Sequence, residues 1–168
     1  MAINGKTYWL KKMKKLTYIL ILIMVLTSKS FSVERDFEEV AKTNDEIYLL
    51  DFASVKAAGS NGEIKYIVLI SFAKPQKLSN GDKYLSTQLY MKGLCLEDKY
   101  KPYLLQYYDV KMDDGDTMKG NIVRTAEWGG EWISPKEQTG YYYTLKFACD
   151  VWGKKMGEKI KNFSLSEN

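Results

Sequence analysis

Two cysteines, four tryptophans and thirteen tyrosines carry most of the chemistry this sequence offers, and it contains no histidine. Without histidine there is no Ser-His-Asp or Cys-His nucleophile, no His-dependent zinc site and no ordinary general base. Cys95 and Cys149 form no Cys-x-x-Cys redox motif, and two thiols alone do not make a metal site. What they can do is close a bond. Gly59-Ser60-Asn61-Gly62 lacks the helix and lysine that a phosphate-cradling loop requires. Asp113-Asp114-Gly115-Asp116 faintly resembles a calcium loop, but the next acid is Glu127, so it reads as a charged hairpin turn. Nothing in the pattern pairs two carboxylates for glycosidase-like chemistry. We expect no enzyme, no metal and no cofactor.

The aromatic residues suggest contact rather than catalysis. Trp128 and Trp132 flank Gly129-Gly130, and two tryptophans beside a flexible pair can form a platform for carbohydrate or peptide. The bland alternative is a pair of plugs under a loop at the core's edge. Tyr107-Tyr108 and Tyr141-Tyr142-Tyr143 are the tyrosine clusters. Consecutive tyrosines in a strand point to both faces, so one of Tyr107 and Tyr108 is expected in the core and the other outside. The candidate binding residues are therefore Trp128, Trp132, Tyr107 and Tyr108.

The start of the chain bears on where such contacts occur. Met13-Lys14-Lys15 gives a basic start, Leu16–Leu26 is an apolar run of 11 residues, and Ser30-Phe31-Ser32 offers a cleavage site. This reads as a signal peptide with start at Met13 and cleavage after Ser32, because a membrane span needs about 20 apolar residues. No cysteine follows the run, so no lipid anchor of the bacterial lipoprotein kind is expected. The leader holds six lysines and no acid, which leaves 19 basic against 21 acidic residues from Val33 onward. That balance argues against a nucleic-acid partner. Export also makes an intramolecular Cys95–Cys149 disulfide the default.

The elements that must hold these residues follow from periodicity. Val33–Asp45 is a polar lead-in, either a short helix or an ordered stretch. Glu46–Phe52 reads as a strand. Glu63–Ala73 alternates, with Ile64, Tyr66, Val68, Ile70 and Phe72 on one face. Asp82–Cys95 puts Leu85, Leu89, Met91 and Cys95 on one face, opposite Tyr84, Ser86, Gln88 and Lys92. Tyr100–Met112 and Asp116–Thr125 complete the strands, and Gly120 suggests a bulge or close contact. Asn61-Gly62, Asn80-Gly81 and Asp114-Gly115 are read as hairpin turns.

Ser134–Trp152 is read as a helix capped by Ser134, with Pro135 at its first position and a reciprocal bond from Glu137. Its inward stripe is Tyr142, Leu145, Cys149 and Trp152, with a stop at Gly153 and a polar tail over 153–168. Both cysteines thus fall on apolar faces. The class is α+β: an antiparallel meander with a C-terminal helix on one face.

The strand opening at Tyr48–Asp51, Leu94-Cys95, Gln106-Tyr107-Tyr108-Asp109, Asp114-Gly115, Trp132-Ile133-Ser134-Pro135 and Phe147-Ala148-Cys149 occur in an order that resembles the surface-adhesin protein E-like family of Gram-negative bacteria. The similarity covers about 46–150. It implies six antiparallel strands, a helix held to the sheet through Cys95 and Cys149, and a cell-surface protein that binds host matrix and serum proteins. The family's eponymous member is a dimer, so a homodimer is implied too. The competing expectation is a periplasmic inhibitor or envelope-assembly factor with a bacterial protein partner.

Overall fold

Each segment read as a strand carries one in the computed structural model, but the strand expected over Tyr100–Met112 ends at Tyr108 and the one expected over Asp116–Thr125 begins only at Ile122. The structure describes residues 35–165 apart from 60 and 118, with side chains as far as 157. The signal peptide expected over 1–32 lies outside the described residues. The strands are β1 (Phe37–Lys42), β2 (Glu46–Ala57), β3 (Glu63–Lys77), β4 (Lys83–Leu94), β5 (Lys99–Tyr108) and β6 (Ile122–Glu127). All pair antiparallel in the order β1-β2-β3-β4-β5-β6, a meander. One helix, α1 (Gly140–Leu165), follows.

The period-2 pattern sorts side chains onto two faces. Tyr48, Leu50, Ile64, Tyr66, Val68, Ile70, Leu89 and Met91 form one buried cluster with Leu145 and Ala148 of α1. Helix and sheet approach closely at Gly93, where a Cβ would stand 2.8 Å from Leu145 Cδ1. The Cys95–Cys149 disulfide joins the end of β4 to α1, with Cα atoms 5.6 Å apart. On the opposite face Leu49, Leu69, Tyr108 and Met112 make a smaller cluster with Phe37, Ile47 and Val110. The β5–β6 connection is docked there: Ser71 Oγ accepts from Met112 N (3.2 Å), and Ser86 Oγ donates to Val110 O (2.8 Å).

The β2–β3 ladder breaks between Asp51 and Lys56. The buried backbone there still needs partners, and it finds them in side chains. Asp51 Oδ1 accepts from Ala53 N (3.1 Å) and Ser54 N (3.3 Å). Ser54 Oγ donates to Asp51 O (2.6 Å) and accepts from Ile67 N (2.8 Å). From α1, Lys155 Nζ donates to Phe52 O (3.0 Å) and Val55 O (3.1 Å). Beyond the break Lys56 pairs opposite Lys65.

Several expectations are corrected. The helix does not start at Ser134. Ile133 is held extended by its bridge to Tyr100 (N–O distances of 2.8 and 2.9 Å), and Gln138 has φ 61, a conformation a helix cannot contain. Thr139 caps instead, its Oγ1 accepting from Tyr142 N at 3.3 Å. The inward stripe begins at Tyr141, not Tyr142. Tyr141 stacks on Tyr100 (5.3 Å, 5°) and meets Tyr48 edge-on (5.6 Å). Gly153 does not stop α1, which runs on to Leu165, through most of the segment read as a tail. The lead-in carries β1, paired to β2.

The turns divide likewise. Asn61 and Gly62 both take positive φ (66 and 74), as a hairpin turn demands. Asp114-Gly115 is not a tight hairpin; it lies within the long β5–β6 connection, with Gly115 packed under Phe37. The β4–β5 turn at Asp98 (φ 51) carried no such dipeptide signal.

Candidate binding surface

Of the residues expected to bind, Tyr107 and Tyr108 part company. Tyr107 points to the α1 side, its ring 4.9 Å from Tyr84. Tyr108 is buried on the other side, and its hydroxyl donates to Gln106 Oε1 at 3.2 Å. The two point to opposite faces as alternation requires, but both faces carry a core: Tyr107 is half-buried against the larger cluster and Tyr108 is buried in the smaller one, so neither is simply outside.

Trp128 and Trp132 follow β6, the last strand of the sheet, whose outer edge pairs with no other strand among the described residues. Trp128 is 48% exposed and is tied back by its backbone N–H to Tyr103 O (3.1 Å). Trp132 is half-buried, with Lys101 Nζ 4.9 Å from its ring centroid. Ile122 at the start of β6 is 52% exposed, and Ile133 beside Trp132 is 38% exposed. One side of the molecule therefore presents apolar and aromatic groups beside an unpaired strand edge.

Candidate chemistry elsewhere is meagre. A cleft of ≈ 90 Å³ lies among Thr43, Glu46, Ser71, Lys111 and Asp113, far below the roughly 300 Å³ at which pockets begin to hold organic ligands. Its Asp113 carboxylate is engaged by the Ser71 hydroxyl. Among the described residues no three acids or thiols converge as metal ligands would. Asp114 and Lys119 pair on the surface, which lowers the carboxyl pKa and raises that of the amine, chiefly through the hydrogen bond between them. Asn121 does the same for Asp109, lowering its pKa by donating to both carboxylate oxygens, and so closes the base of the loop.

Tyrosines surround the start of α1. Burial pushes the Tyr48, Tyr66 and Tyr141 hydroxyls well above the ordinary tyrosine pKa, and for Tyr48 the neighbouring Glu46 adds to the effect. Tyr48 Oη donates to Glu46 Oε2 at 2.5 Å. These groups stay protonated at neutral pH and serve packing.

Sequence reasoning missed a row of lysines on the face away from α1. Lys56 of β2 lies opposite Lys65 of β3, Lys65 opposite Lys92 of β4, and Lys92 opposite Lys101 of β5. Lys65 and Lys92 each show as a polar position in an alternating strand. Their common register depends on the β2 break and the β5 bulge, which no single strand reveals.

A meander of six antiparallel strands, with one helix stapled across a face by a disulfide, defines a small α+β domain. A model of the surface-adhesin protein E family matches residues 37–150, and the chain belongs to that family. Among solved structures it is similar to Haemophilus influenzae protein E, with 14% identity, a TM-score of 0.50, and coverage of 70% of this chain and 86% of that one. At that identity the likeness speaks for the fold. No curated protein matches the chain.

Proposed function

We propose that this chain is an exported, non-enzymatic binding protein of the adhesin type, which engages an extracellular-matrix or serum protein through the β6 edge and the tryptophan loop after it. Family membership supports the adhesin class, and the basic-apolar leader supports export. The observation that carries the choice of surface is the exposure of Trp128, Ile122 and Ile133 along an unpaired strand edge. Exposed apolar side chains beside such an edge are what a partner covers, by strand addition or by seating a ring in a pocket. Tyr107 borders this surface on the α1 side; Tyr108 supports it from within.

The test is a binding panel of purified matrix and serum proteins, run in parallel with periplasmic extract. Trp128→Ala is expected to weaken binding about tenfold or more while leaving the unfolding midpoint in place. If no matrix or serum protein binds, and one periplasmic protein instead forms a one-to-one complex, the chain is an envelope factor. Mass that rises with concentration and falls on Trp128→Ala would assign the edge to a second copy of the chain.

A further inference from the structure

We infer that the sheet face opposite α1 binds a linear acidic polysaccharide, a sugar chain bearing sulfate or carboxylate groups, along a row formed by Lys56, Lys65, Lys92 and Lys101. The proposal rests on the reading of this chain as an exported binding protein. The four lysines sit directly opposite one another on four adjacent strands. With strands about 4.8 Å apart, the row spans roughly 14 Å across the sheet. Like charges placed directly opposite one another disfavour strand pairing, so this row works against the fold that carries it. The surrounding chain gives no reason for it: from Val33 onward acids outnumber bases, 21 to 19.

The row is nearly free of counter-charge. Glu63 pairs with Lys92 at 2.9 Å. Among the described residues no carboxylate lies within ion-pair distance of Lys56, Lys65 or Lys101. Two of these amines rest against ring faces instead, Lys65 at 5.7 Å from the Tyr103 centroid and Lys101 at 4.9 Å from that of Trp132. An anion reaching the amines would therefore also meet aromatic surface, on which the C–H faces of sugar rings pack.

The position of the row decides between classes of polyanion. It crosses β3 and β4, whose backbones are paired on both sides, so a peptide laid there would find no ladder to join. Recognition must come from side chains alone: repeated charge contacts with rings at one end, which suit a flexible chain of acidic sugars. A rigid nucleic-acid duplex would touch a short, flat row with few phosphates and have no groove contacts.

The test uses protein purified from cells that express the full chain, with heparin as the sulfated probe, hyaluronate as the carboxylate-only probe, and polyglutamate and duplex DNA as charge-matched competitors. Binding to one or both polysaccharides is expected, weakening steeply with salt, since each lysine–anion contact releases bound counterions. Binding to heparin alone would make the ligand sulfated; binding to both would make it any acidic glycan. The triple variant Lys56→Gln, Lys65→Gln, Lys101→Gln should lose at least tenfold in affinity and flatten the salt dependence. A control triple at the far hairpin, Lys74→Gln, Lys77→Gln, Lys83→Gln, should change neither. Trp132→Leu should weaken the polysaccharide and leave the salt dependence as it was. Equal loss in both triples would mean that net charge, not the row, binds; equal affinity for polyglutamate or DNA would mean that no sugar is read. Either result overturns the inference, as does absence of binding at low salt. Matrix-protein binding that survives such a failure would leave the wider reading intact.

Discussion

On the face that α1 covers, Tyr48, Leu50, Tyr66, Val68 and Met91 meet Leu145 and Ala148, and a disulfide holds the two layers together. On the face that α1 leaves, four lysines line up, with one carboxylate among the described residues, Glu63, within ion-pair distance. The first arrangement lowers the free energy of the folded chain at each contact, by burial and by closing a loop in the unfolded state. The second raises it, since like charges stand opposite one another. The face away from α1 is buried only in part, around Leu49, Leu69, Tyr108 and Met112, and the strip that carries the lysines is left for contact with a ligand.

The comparison is broken most severely at the disulfide. Its two cysteines are 54 residues apart, so the double variant Cys95→Ser, Cys149→Ser should lose up to about 4 kcal/mol, the chain-entropy value for a loop of that length. Urea unfolding of the oxidised chain against the variant measures it. A loss under about 1 kcal/mol would mean that the covered face holds α1 by packing alone.

High pH tests the same face without mutation. Burial raises the pKa of Tyr66 and Tyr141 above the ordinary value of 10.0. A group whose folded pKa is raised stabilises the fold fully below its unfolded pKa, and that contribution is lost as pH climbs above it. Stability should therefore be flat in these groups up to about pH 10 and then fall, by about 1.4 kcal/mol per pH unit for the fully buried Tyr66. Tyrosinate absorbance should appear in step with unfolding. If it appears while the fold is intact, in all eleven tyrosines from Val33 onward, the rings at the start of α1 are accessible to solvent.

Much of the covered face was legible in the sequence, because burial writes itself as period. The alternation from Ile64 to Phe72 and the placement of Cys95 and Cys149 both appear in the structure. The start of α1 was not legible. Ser134, Pro135 and Glu137 satisfy every local rule for a cap, yet a long-range bridge between Ile133 and Tyr100 fixes the backbone before them. The lysine row was hidden for a related reason: register between strands is a tertiary fact, and two irregularities set it. Asp114-Gly115 misled because a turn dipeptide reports local φ and not the length of the connection.

The helix start offers a smaller and sharper break. Thr139→Ala removes the hydroxyl that accepts from Tyr142 N and should cost about 1 kcal/mol. Ser134→Ala, five residues earlier at an exposed position, should change stability by less than about 0.5 kcal/mol. The reverse ranking would move the first turn of α1 back to the serine and undo the stacking of Tyr141 on Tyr100.

The smallest effect carries the opposite sign. Lys56 is exposed, stands opposite Lys65 and, among the described residues, meets no ring or carboxylate, so replacing it removes a repulsion and little else. At about 5 Å in water two unit charges repel by just under 1 kcal/mol; lysine stems splay apart, which reduces this. Lys56→Thr also places a β-branched residue in a strand. We expect a gain of about 0.2–0.5 kcal/mol at low salt, shrinking as salt is added because screening removes the repulsion in the parent chain. Lys65 is the wrong residue for this test: its contact with the Tyr103 ring offsets the repulsion it feels from either side. A variant that folds better and binds an acidic glycan worse would show the two faces obeying opposite constraints. If Lys56→Thr instead destabilises the chain, the row contributes to the fold, and its charges must be offset by groups on the same face.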